Sequence, residues 1–147
     1  MKSLLIASLF LLASCGRGGT PDIQVKDAWV RETVAGQQGT AGYMTIENRG
    51  SGADRLLSVS AASPITASLH ETSTAGGVSS MRPLENGLEI PPGGPVTLKR
   101  GSVHVMISGL TAPLRNGEAL RLTLRFERSG DRAVDFTVAP AMNGMSH

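Results

Sequence analysis

The chain has 147 residues, a net charge of +2, aromatic residues at only 3% and a single cysteine. That length fits one domain with its own packed core. The small charge and the few aromatics exclude a nucleic-acid footprint, because neither a basic field nor a stacking platform is present.

Met1-Lys2 followed by the apolar run Leu4 to Leu12 reads as a secretory signal, too short for a permanent membrane span. The run ends in Leu12-Ala13-Ser14-Cys15, which resembles a bacterial lipobox. The expectation is therefore a signal peptide over 1–14, an acylated Cys15 and a tether over 15–22. Two or more acyl chains give stable anchoring to a membrane. Gly16, where an inner-membrane signal usually has Asp, leaves inner and outer membrane open. With Cys15 acylated there is no free thiol and no disulfide, so packing alone stabilises the fold. Gly16 to Pro21 reaches roughly 20 Å when extended, which holds the domain close to the bilayer.

From Ile23 on, the chain reads as short strands and turns. Ile23–Val25, Ala28–Val30, Tyr43–Glu47, Leu56–Val59 and Ile65–His70 come first. Val78–Leu84, Val96–Leu98, Val103–Ile107, Leu120–Phe126 and Val134–Val138 follow. Asn48 to Gly52, Gly76-Gly77 and Pro91 to Pro95 are breakers. Leu120, Leu122, Leu124 and Phe126 alternate with Arg121, Thr123, Arg125 and Glu127, which predicts a half-buried strand with a solvated charged face. No window sustains a helical period, so the expected class is an all-β sandwich or barrel. The domain is expected to span 23–139, followed by a flexible tail over 140–147.

His70, Met81, His104 and Met106 are the residues that carry chemistry. Thioether sulfur is a poor ligand for zinc, calcium or magnesium but a good one for Cu(I), and imidazole suits copper as well. In a strand His104 and Met106 share one face, while Val103, Val105 and Ile107 take the other and enter the core. A hairpin through Thr74 to Gly77 can return Met81 to the neighbourhood of His70. Met44 reads as core filler. In the tail, Met142, Met145 and His147 are candidate auxiliary copper ligands, and an incidental, disordered end accounts for them as well.

The spacing His70-(ten residues)-Met81 and the triplet His104-Val105-Met106 resemble the periplasmic copper chaperone family PCu(A)C. The spacer between them, Arg82 to Val103, is one residue longer than the family's, an insertion assigned to the Glu85-Asn86-Gly87 turn. Asp27-Ala28-Trp29-Val30-Arg31, Gly42 to Asn48, His70-Glu71-Thr72, Gly77 to Leu84, Pro92-Gly93-Gly94 and Ile107-Ser108-Gly109-Leu110 match as well. The likeness runs from about Ile23 to Val138. It implies a single-domain, cupredoxin-like (Greek-key) β-sandwich that binds Cu(I) outside the cytoplasm. It further implies delivery to a membrane acceptor, the CuA centre in subunit II of cytochrome c oxidase. A thiol-based copper chaperone or a reductase is a further candidate partner.

Other readings meet the residues less well. A blue-copper electron carrier needs a Cys thiolate ligand, and the one cysteine sits in the lipobox. His70-Glu71 lacks the second His of the zincin helix, and no G-x-S-x-G occurs, so an enzyme is not expected. Copper storage or detoxification, and a lipid-anchored scaffold without metal, remain the alternatives.

Overall fold

The structure is a computed structural model that describes residues 18–141. Cys15, Met142, Met145 and His147 lie outside the described residues. Among the described residues there is no helix; ten strands carry the fold. They are β1 (Ile23–Arg31), β2 (Gly39–Asn48), β3 (Asp54–Ser60), β4 (Thr66–Ala75), β5 (Val78–Pro83), β6 (Leu88–Ile90), β7 (Pro95–Leu98), β8 (Val103–Ser108), β9 (Ala119–Phe126) and β10 (Gly130–Ala139).

The hydrogen-bonded path runs β5-β4-β8-β2-β1-β10-β9-β3-β6, with β7 pairing the far half of β2. β1 and β10 are parallel, and every other pair is antiparallel. The path folds over so that β3 packs against β4, giving two layers with one core between them. Met44, Ile46, Val105, Ile107, Leu122, Leu124 and Phe136 fill it, each almost without exposure. Met44 is core filler, as its place in an alternating strand suggests.

Alternation is the physical reason for most of these elements. On β9 Leu122, Leu124 and Phe126 are buried, while Arg121 and Arg125 face solvent. There the two arginines pair across the sheet with Asp135 and Asp131 of β10, directly opposite in register. Hydrogen bonding to Arg121 holds the Asp135 carboxyl below the usual range. Such exposed pairs fix register more than they stabilise.

β1 departs from the two separate strands expected over Ile23–Val25 and Ala28–Val30. It is one strand with a bulge: Lys26 pairs with Thr45 and Trp29 with Tyr43, so β1 spends one residue more than β2. Asp27 sits in the left-handed region at φ 51°, which Asp tolerates better than most residues. The extra residue flips the alternation. Ile23 is inward before it and Val30 after it, and Trp29 is turned to the outer face.

Two polar anchors close the ends. Buried Asn48 donates to the carbonyls of Gly52 and Ile90 and accepts from the N–H groups of Asp22 and Gly50. Asp54, at the start of β3, accepts from the N–H groups of Arg55, Arg128 and Ser129 and from the Ser129 hydroxyl. No buried side-chain polar atom among the described residues lacks a partner.

Candidate metal centre

Three neighbouring strands position the four candidate ligands. β4 is the middle one, with β8 on one side and β5 on the other. His70 lies directly opposite His104 in the β4–β8 register, and Ser68 lies opposite Met106. Thr72 lies opposite Met81 in the β4–β5 register. Opposed residues in an antiparallel pair share a face, and residues two apart do so too. All four side chains therefore project from one face of the sheet. Leu69, Val105 and Ile107 point the other way into the core.

The two imidazole rings lie nearly parallel, 25° between planes, with centroids 6.2 Å apart. Met106 and Met81 are each diagonal neighbours of His70, on opposite sides of the histidine pair. Diagonal positions are about 7–8 Å apart, within reach of a long side chain. His70 is the hub.

The β4–β5 hairpin fixes where Met81 stands. Its two-residue loop is Gly76-Gly77, with φ of 59° and 79°, the positive pair that a type I′ turn requires and glycine supplies. Cross-strand contacts then lock the register: Thr74 with Ser79, Ser73 with Ser80, and a Glu71–Arg82 ion pair at 2.8 Å. A slip by one residue would send Met81 to the other face.

At the other strand, Lys99 to Ser102 turn β7 into β8, with Gly101 at φ 80° and Ser102 N–H donating to the Lys99 carbonyl. The Ser102 carbonyl accepts from Thr72 N–H at 3.1 Å and from His104 Nδ1 at 3.1 Å. A carbonyl only accepts, so His104 carries a proton on Nδ1, and in the neutral ring Nε2 holds the free lone pair. An outer partner that fixes the tautomer is the usual support of a ligating histidine. The expected result in ¹⁵N imidazole spectra is an Nδ1-protonated His104 whose Nε2 resonance alone moves on Cu(I) addition. Metallation at Nδ1 would contradict this geometry. On β4, His70 Nδ1 lies 3.4 Å from the Ser68 hydroxyl, a longer contact in which either group can donate.

Exposure across the site is uneven. His104 is 5% exposed, although it lies on the outer face, and Met81 is 56% exposed. Tyr43 helps to explain the first value. One residue beyond the Gly42–Val105 pair, it stands on the same face beside His104, and it is itself buried. Trp29, turned outward by the β1 bulge, packs against Tyr43 with the rings tilted 38° and their centroids 4.9 Å apart. The Ser102 carbonyl and this aromatic wall were not assigned a role from sequence. A backbone oxygen has no residue signature, and the wall depends on a bulge and on strand neighbours distant in sequence.

The donor set is two imidazoles and two thioethers. Among the described residues no group of three His, Cys, Asp or Glu gathers to hold a metal.

Residues 23–138 match the model of a family described as "Putative lipoprotein LpqE-like". The chain belongs to this PCu(A)C-type family. A "Putative lipoprotein" of Leifsonia xyli subsp. xyli is 36% identical over 104 residues, covering 71% of the chain. The match spans 61% of that relative's length. Among solved structures, the copper-bound PCuAC domain from PmoF2 is similar with a TM-score of 0.62 and 25% identity, covering 80% of this chain and 92% of that one. Apo-DR1885 from Deinococcus radiodurans is similar with a TM-score of 0.61 and 29% identity, covering 99% and 97%. The fold of this LpqE-like chain is thus the cupredoxin-like β-sandwich that the resemblance implied.

Proposed function

We propose that this LpqE-like protein is an extracytoplasmic copper carrier that holds one Cu(I) on His70, Met81, His104 and Met106. The observation that carries the reading is the placement of all four soft donors on one sheet face, with the two histidines directly opposed. The copper bound by the PCuAC domain from PmoF2 supports it.

The ligand chemistry suits a carrier. Thioethers and neutral imidazoles favour Cu(I) without the strong thiolate bond that would make release slow. A thioether has no proton to lose, so the two methionines need no deprotonation to bind. His104, held by Ser102 and walled by Tyr43, keeps its place while the exposed Met81 is the first ligand open to exchange. An acceptor's ligands then replace the carrier's one at a time.

The acceptor in this proposal is the CuA centre of cytochrome c oxidase subunit II, reached from a lipid anchor on Cys15 at the periplasmic face of a bacterial membrane. Tethering both proteins to one membrane raises their effective concentration. Incubating the Cu(I)-loaded protein with the apo CuA domain tests delivery. The expected result is loss of copper from the carrier and its appearance on the CuA domain. A mixture in which all copper stays on the carrier removes delivery and leaves storage.

A further inference from the structure

β5 is an edge strand, and its hydrogen-bonding parity can be read from one contact. Leu84 N–H donates to the carbonyl of Leu69, the residue directly opposite it one position beyond the His70–Pro83 pair. In an antiparallel ladder bonded and non-bonded pairs alternate. The pairs 69/84, 71/82, 73/80 and 75/78 are therefore the bonded ones. Ser79 and Met81 lie in the non-bonded pairs, so their N–H and C=O groups point away from β4 to the free edge. Pro83 holds the next outward position, where its missing N–H costs the hairpin nothing.

Among the described residues no strand pairs with that edge, and all six residues of β5 are exposed. Natural edges are commonly blunted by lysine, proline, a bulge or an inward charge, and Pro83 supplies one such device at the far end of β5. Here Val78 to Met81 carry none of these, and the one nearby cation, Arg82, is neutralised by Glu71. The most exposed candidate ligand thus sits on an open backbone template.

We propose that the β5 edge at Ser79 and Met81 is the docking strand for the copper acceptor, which adds an extended segment there and sets a Cys, His or Met side chain beside Met81. This rests on the carrier reading above. A residue bonded directly opposite Met81 shares its face, so its side chain meets the metal face about 5.5 Å away between Cα atoms. Strand addition supplies affinity through the main chain and places alternate side chains in register. A second copy of this chain fits less well. Two β5 strands related by a two-fold at Met81 set Pro83 opposite Ser79 and lose bonds, and any such pairing closes the edge that Met81 needs for exchange.

Ser79→Pro is the test, because the lost N–H points outward and Pro83 already occupies an equivalent place. The variant also loses the Ser79 hydroxyl contact with Thr74, and the Ser73–Ser80 contact and the Glu71–Arg82 ion pair are left to hold the register. Copper transfer from the Cu(I)-loaded full chain is followed to two probes, the apo CuA domain and the small chelator bathocuproine disulfonate. The expected result is transfer to the CuA domain slowed roughly five- to tenfold, the worth of one backbone hydrogen bond, with transfer to the chelator unchanged. Equal rates to the CuA domain for wild type and variant overturn the docking edge and leave delivery standing. No transfer even from wild type defeats delivery, and this assignment with it. Where the variant also loses copper affinity, amide exchange in the wild type decides. Slowing at Ser79 and Met81 on adding the CuA domain supports the edge, and unchanged exchange contradicts it. A copper-loaded dimer that Ser79→Pro dissolves gives the edge to a second copy. Protection already present in the free chain and lost on truncation after Ala141 gives it to the chain's own tail. Either result overturns the proposal.

Discussion

Changing Met81 and Met106 together to Leu removes tight Cu(I) binding and leaves the fold intact. Leucine keeps the volume and removes the sulfur, and such swaps cost under about 1.5 kcal/mol even in cores. Neither position is a core position: Met81 is 56% exposed, and Met106 is on the outer face of β8. The loss in affinity exceeds the roughly 10–100-fold that removal of a partner outside the coordination sphere costs, because two of four donors are gone. His70 and His104 remain, and two imidazoles alone do not select Cu(I) over Cu(II). The check is an anaerobic titration against a competing chelator, beside thermal unfolding of the same variant. Binding indifferent to both sulfurs would mean that the methionines only pack, and the metal-free scaffold reading would take over.

Asp54→Ala produces the largest loss of stability expected from a single polar side chain. The carboxylate gathers three backbone N–H groups and one hydroxyl from β3 and the β9–β10 turn, and it is 4% exposed. Alanine leaves those donors without a partner, at about 2–4 kcal/mol in total. That corresponds to a drop of roughly 10 °C in the unfolding midpoint.

The same contacts set a pH signature. Burial pushes the Asp54 carboxyl up, but the hydrogen bonds from the Ser129 hydroxyl and the N–H groups of Arg128, Arg55 and Ser129 outweigh it, so the net shift is downward. A carboxyl with a lowered folded pKa stabilises fully above its unfolded value of about 3.9. That stabilisation is lost as pH falls through the folded pKa. Denaturant unfolding of wild type and Asp54→Asn should therefore differ most near neutral pH and converge below about pH 4. A constant difference down to pH 3 would show that shape, not charge, anchors the turn. Glu47, lowered chiefly by its hydrogen bond from Lys26, adds to the acid sensitivity of the wild type but leaves the difference between the two proteins unaffected.

Much of the site was legible because strand parity is local. His104 and Met106, two apart with Val105 between them, fall on one face by geometry alone, and the structure puts them there. Gly76-Gly77 announced the hairpin that returns Met81, although only the register showed Met81 opposite Thr72 and diagonal to His70. The neighbour relation of β4 and β8 was not legible, since more than twenty-five residues separate Glu71 from Val103 and no local pattern encodes their pairing. The same holds for the burial of His104, which alternation assigns to solvent. β6, three residues long, is too short for a periodicity. The Glu85 to Gly87 segment is a turn, closed by Gly87 N–H to the Leu84 carbonyl, with Gly87 at φ 70°. An added residue is cheap at such a place.

In the proposed site two imidazoles and two thioethers hold the copper. Copper K-edge X-ray absorption of the Cu(I)-loaded domain ending at Ala141 tests it most directly, since that boundary removes the tail methionines. The expected spectrum shows two sulfur and two nitrogen atoms bound to copper, with the sulfur lost in the Met81→Leu, Met106→Leu variant. A shell of nitrogen and oxygen alone, or sulfur that persists in the variant, would contradict it.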